Sequence, residues 1–150
     1  MQYRKLNIAR IREKVSDIRE ALTMLRQYAN LSDETFLSNK EAVLAARYSF
    51  IVMVEAAMNI ANHFCARLLD KAPSTYAEAF LLLGQEGVMD SQLSRKLADM
   101  ARFRNLLVHG YGKVDDRKML GSMRQELSDV DAFLREVARI VSAQEDESGD

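Results

Sequence analysis

A single proline, Pro73, and six glycines are all that punctuate 150 residues. Proline and glycine are the strongest helix breakers, and good helix formers (Leu, Ala, Met, Arg and Glu) dominate the rest. A chain so thinly interrupted has room for long helices and little chemistry for tight β-turns, so an all-α fold is expected. Apolar residues make up 48% and charged residues 29%, an ordinary globular balance. The length suits a single domain over residues 1–150 with a real core.

Hydrophobic spacing predicts about five helices. Ile8, Ile11, Val15, Ile18, Leu22 and Leu25 form one stripe of a first helix over residues 7–28. Residues 30–38 read as a connection, with Ser38 and Glu41 as the capping box of the next helix. That second helix, over residues 39–69, is apolar on most faces, as expected for the centre of a bundle or a subunit interface. Tyr48, Val52, Glu55, Asn59, Asn62 and Ala66 share its one more polar face, with His63 at the edge. Buried polar groups need partners, so this face either lines a cleft or forms a structural network. A short helix over 76–84 follows Pro73, then one over 92–109 ended by Gly110 and Gly112. A last helix starts at Asp115 or Asp116 and runs through Val141, with residues 144–150 as a disordered acidic tail.

A net charge of −1 excludes a strongly basic coat protein, although residues 4–26 are locally basic. The lone Cys65 sits in an apolar run and reads as a small buried residue. One cysteine and two histidines, His63 and His109, do not make a structural zinc site, so no metal and no cofactor are expected. The N-terminus is amphipathic and charged, unlike a secretory signal. No uninterrupted apolar stretch reaches the roughly 18 residues of a membrane span. A cytoplasmic protein without a membrane partner is the expectation.

The chemistry concentrates in Arg104-Asn105-Leu106-Leu107-Val108-His109-Gly110-Tyr111. Histidine moves protons near neutral pH, and arginine grips phosphate. On a helical wheel Arg104 falls within the apolar arc of Leu93, Leu97, Met100, Ala101, Phe103, Leu107 and Val108, where a charge needs a partner such as Glu55 or a cleft. His109 projects to another side, with Asn105 and Arg102, at a helix end whose carbonyls favour a charged imidazole or a capping role. Five residues of helix turn through about 140° and rise about 7.5 Å, so Arg104 and His109 do not meet by spacing alone.

Arg104-Asn105-x3-His109-x-Tyr111 resembles the Arg-x4-His-x-Tyr motif of HEPN-domain proteins of the HepT-like toxin family. The block from Ala72 to Phe80, the Leu81-Leu82-Leu83 and Gly87-Val88-Met89 segments, Arg102-Phe103 and Val114-Asp115 are similar too, covering about residues 48–120. Gly110 and Gly112 depart from the family, which often carries bulkier residues there. The resemblance implies a homodimeric HEPN-like bundle with the motif in a cleft between subunits. It implies a metal-independent endoribonuclease, the toxin of a prokaryotic toxin–antitoxin pair. Arg104 and His109 would be catalytic with Asn105 supporting them, and Glu55, Asn59 and Arg102 would lend a polar cleft. Tyr111 would accept AMP from a partner MntA-like minimal nucleotidyltransferase, which silences the toxin. The alternative is a non-catalytic HEPN module that binds nucleotide, RNA or the nucleotidyltransferase.

Overall fold

The computed structural model describes residues 5–110 and 114–148, and every regular element among them is a helix. There are seven: α1 (Ile8–Ala29), α2 (Asp33–Leu37), α3 (Lys40–Leu68), α4 (Tyr76–Gln85), α5 (Ser91–His109), α6 (Asp116–Gln125) and α7 (Leu127–Ser148). Most begin on a short polar side chain that accepts a backbone N–H of the first turn. Asn7 takes that of Arg10, Ser32 that of Thr35, Asn39 that of Ala42, Thr75 that of Glu78 and Asp90 that of Leu93.

The central helix is α3. Phe50, Met53, Val54, Ala57, Met58, Ile60, Ala61 and Phe64 are all buried, against α1 along one side and α4 and α5 along another. By length and mean hydropathy alone α3 could cross a bilayer, yet that apolarity lies in the protein core. Phe50 meets Phe103 of α5 edge-on at 5.4 Å, and Phe80 of α4 meets Phe133 of α7 likewise at 5.9 Å. Cys65 is buried and donates to the Ala79 carbonyl at 3.5 Å. Burial pushes its thiol up to about 11, leaving it unreactive.

Seven helices replace the five expected, for identifiable reasons. α2, within the expected connection, is too short to display a period; it forms to bury Phe36, which packs against Tyr28 at 6.1 Å. Ser38 accordingly caps the C-terminus of α2, its hydroxyl turned back to the Thr35 carbonyl, and Asn39 rather than Ser38 caps α3. The expected single last helix is two, broken at Glu126. Met123, Leu127 and Val130 keep helical spacing across the break and are all buried, so the hydrophobic pattern carries no sign of it. The expected disordered tail is instead helical through Ser148, with Glu145 held by Arg12 of α1 at 3.3 Å.

Polar clamps fix the outer helices. Arg124 of α6 reaches across to the carbonyls of Ala29 and Leu31 at 3.2 and 2.7 Å and to the Asp33 carboxylate. Arg47 of α3 grips Asp116 at the start of α6 through two nitrogens.

α4 and α5 cross so closely at Gly84 that an added Cβ would lie 2.7 Å from the Ser94 side chain and 3.2 Å from the Ser91 backbone. Gly121 of α6 has nothing within 4 Å of the same position. Gly84→Ala is expected to destabilise by about 1–3 kcal/mol through overpacking, whereas Gly121→Ala is expected to stabilise by about 0.5–1 kcal/mol through helix propensity. Urea unfolding of the two variants checks both signs.

Candidate active site

The strip of α3 that the core leaves uncovered carries Glu55, Asn59 and Asn62, spaced three and four residues apart. Arg104 of α5 faces this strip. Its guanidinium is an ion-pair partner of Glu55 through Nη2 and donates through Nη1 to Asn105 Oδ1 at 3.0 Å. Its side chain is only 15% exposed, and its Nε is buried without an acceptor. The wheel placed an arginine within an apolar arc, and the structure holds it there with the carboxylate that α3 supplies.

Glu55, Asn59 and Arg104 line one cleft of about 540 Å³. The remaining walls come from Asn62 and His63 of α3, Arg10 of α1 and Tyr76 of α4, over Met58. Arg10 donates through Nε to Asn59 Oδ1 at 3.2 Å. The backbone N–H of Asn7, the residue that caps α1, donates to His63 Nε2 at 2.9 Å. An acceptor Nε2 means a neutral ring with its proton on Nδ1. Burial, then the nearby charges of Arg67 and Arg10, holds His63 below its ordinary 6.5.

His109 is the last residue of α5 and is exposed. It does not line the cleft with Arg104, in keeping with the angular offset of the wheel. Gly110 closes the helix through a 2.7 Å bond from its N–H to the Leu106 carbonyl. Its φ is −76°, and a Cβ there would lie 2.4 Å from the Leu106 carbonyl oxygen, so this position has room for glycine alone. Arg102, grouped by sequence with the polar cleft, lies apart from it: it pairs with Asp99 one turn back at 2.8 Å and borders a different groove with Lys118 and Glu126. Tyr111 and Gly112 lie outside the described residues.

Sequence reasoning did not single out Arg10 or Tyr76 as site residues. Arg10 reads as one of several charges on an amphipathic helix and Tyr76 as the start of a short one. Only the packing of α1 and α4 around α3 brings them together. Among the described residues, no three of His, Cys, Asp and Glu are grouped so as to share a metal ion.

A family model described as ribonuclease HepT-like matches residues 18–137. The tRNA nuclease HepT of Aphanizomenon flos-aquae is 25% identical over 127 residues, covering 85% of this chain and 86% of that protein. The mRNA nuclease HepT of Shewanella oneidensis is 29% identical over 80 residues, 53% of this chain and 60% of that protein. A solved structure of a tri-AMPylated HEPN toxin of Shewanella oneidensis, in complex with MNT antitoxin, shares the fold. Its TM-score is 0.80 at 22% identity, covering 87% of this chain and 97% of that one.

The His63 latch has a pH signature. With the folded imidazole held below 6.5, the unfolded chain binds a proton that the folded chain refuses. The stabilisation is therefore complete above pH 6.5 and is lost as pH falls from there through the folded value. The melting temperature is expected to drop between pH 7.5 and 5, and His63→Gln, which keeps an acceptor but not the titration, is expected to flatten that drop. Thermal melts of both proteins across this range test it.

Proposed function

Because the chain belongs to the HepT-like ribonuclease family, we propose that it is the endoribonuclease toxin of a HEPN/MNT toxin–antitoxin pair, acting on RNA in the cytoplasm without a metal ion. The observation that carries the reading is Arg104: a mostly buried guanidinium kept on the wall of a polar cleft by Glu55 and Asn105. In metal-free RNA cleavage the 2′-hydroxyl attacks its own phosphate. The 2′-oxygen gains the bond to phosphorus as the 5′-oxygen leaves, and the proton of the first must be removed while the second acquires one. Arg104 supplies charge to the phosphate oxygens, whose negative charge grows in the transition state. His109 moves the proton, a role suited to an exposed imidazole at a helix end. Asn105 orients the arginine.

Arg104 and His109 point to different sides of one helix, so the reading includes a homodimer in which two motif copies share a cleft. Leu44 and Tyr48 of α3, 50% and 71% exposed, offer apolar surface for such a contact. Silencing follows from the position of Tyr111, two residues beyond His109. A MntA-like nucleotidyltransferase moving AMP from ATP to its hydroxyl, with release of pyrophosphate, adds bulk and negative charge close in the chain to His109, opposing the approach of an RNA phosphate.

The test is cleavage of a labelled tRNA and mRNA mixture in EDTA, after intact mass has established that Tyr111 is unmodified. The wild type is expected to cleave, and His109→Ala to cleave at least about 100-fold more slowly. No cleavage by either folded protein overturns the nuclease reading in favour of a non-catalytic binding module.

A further inference from the structure

Beside Arg104 the cleft holds a second guanidinium that the catalytic reading does not use. Arg10 projects from α1 into the same cleft, and among the described residues no carboxylate lies within ion-pair distance of it. Its single side-chain hydrogen bond, Nε to Asn59, fixes the side chain against α3 and leaves both Nη groups without a partner among the described residues. Among the described residues the only carboxylate lining the cleft, Glu55, is already engaged by Arg104. The uncompensated charge is therefore that of Arg10, and it suits a singly charged phosphodiester.

Two further features at the same place point to a base rather than to phosphate alone. Tyr76, the first residue of α4, is 43% exposed at the cleft and stacks on no other ring among the described residues. An exposed tyrosine beside an unpaired arginine has the composition of a site for single-stranded nucleic acid, where aromatics stack on bases and cations track the backbone. The side-chain amide of Asn62, half-buried on the same cleft wall, makes no hydrogen bond among the described residues, so it offers both donor and acceptor to a base edge. The volume of about 540 Å³ lies within the about 300–1,000 Å³ usual for small-molecule sites.

We infer that Arg10 and Tyr76 form a subsite for one nucleotide of single-stranded RNA next to the phosphate held by Arg104, with Arg10 on the neighbouring phosphate and Tyr76 stacked on the base. The inference rests on the ribonuclease reading for the presence of RNA in the cleft, but it concerns binding and is testable without cleavage.

The test is equilibrium binding of a fluorescent 2′-O-methyl oligonucleotide of mixed sequence, which has no free 2′-hydroxyl to attack, over a range of salt concentrations. Wild type is compared with Arg10→Ala, Arg10→Lys, Tyr76→Ala and Tyr76→Phe, each checked for folding by circular dichroism. Arg10→Ala is expected to reduce the slope of log affinity against log salt by about 0.7, the contribution of one single-strand phosphate contact; Arg10→Lys is expected to retain the slope. Tyr76→Ala is expected to weaken binding about five- to 150-fold with the slope unchanged, and Tyr76→Phe to bind as wild type. A merely structural role would move neither the slope nor the contrast between alanine and phenylalanine. No binding by wild type, or binding that neither alanine variant alters, overturns the subsite. Binding with these signatures by a protein that cleaves no RNA upholds the subsite while removing the nuclease reading. Cleavage with unaltered binding by the variants does the reverse.

Discussion

The architecture depends on the burial of α3. A helix of 29 residues with apolar side chains around most of its circumference is stable in water only when other helices surround it. α1, α4 and α5 do so, and their placement follows from where Phe50, Phe64 and the residues between them need cover. The strip left open is the one that could not be buried without cost, because it carries a carboxylate and two amides. Core formation and cleft formation are therefore one event: the same packing that covers the apolar arc leaves Glu55, Asn59 and Asn62 facing a gap.

That gap sets the electrostatics of Arg104. In the interior an unpaired guanidinium would be strongly destabilising, and pairing with Glu55 relieves much of that. The pair also fixes the fork of the arginine in one orientation, with Asn105 holding a second nitrogen. A structural reading of Arg104 as a paired core arginine and a functional one as a phosphate ligand are thus compatible. The carboxylate that makes the residue tolerable in the core also keeps it on the cleft wall.

Much of this was legible in the chain. The scarcity of Pro and Gly and the spacing of apolar residues located the long helices to within a residue or two at most ends. The wheel of α5 singled out Arg104 as the charge in need of a partner and Glu55 as a partner within reach. What was not legible has physical causes. α2 is shorter than the periods used to find helices, and the elbow at Glu126 leaves the hydrophobic spacing intact. Arg102 was placed with the cleft because nothing in its local pattern separates it from its neighbours, whereas Asp99 one turn away claims it. Arg10 and Tyr76 carry no local signal, since their role depends on which helices pack beside α3.

The cleft takes its walls from α1, α3, α4 and α5, so its residues span the chain from Arg10 to Arg104. This has a consequence in time as well as in space. While the chain is being made, α1 and α3 emerge first and can begin to pair, but the arginine wall is absent until α5 has been synthesised and has docked. A nascent or prematurely ended chain that stops before Arg104 has a partial core and no cleft. The cleft is thus assembled late, and only by a chain whose α5 has docked on α3.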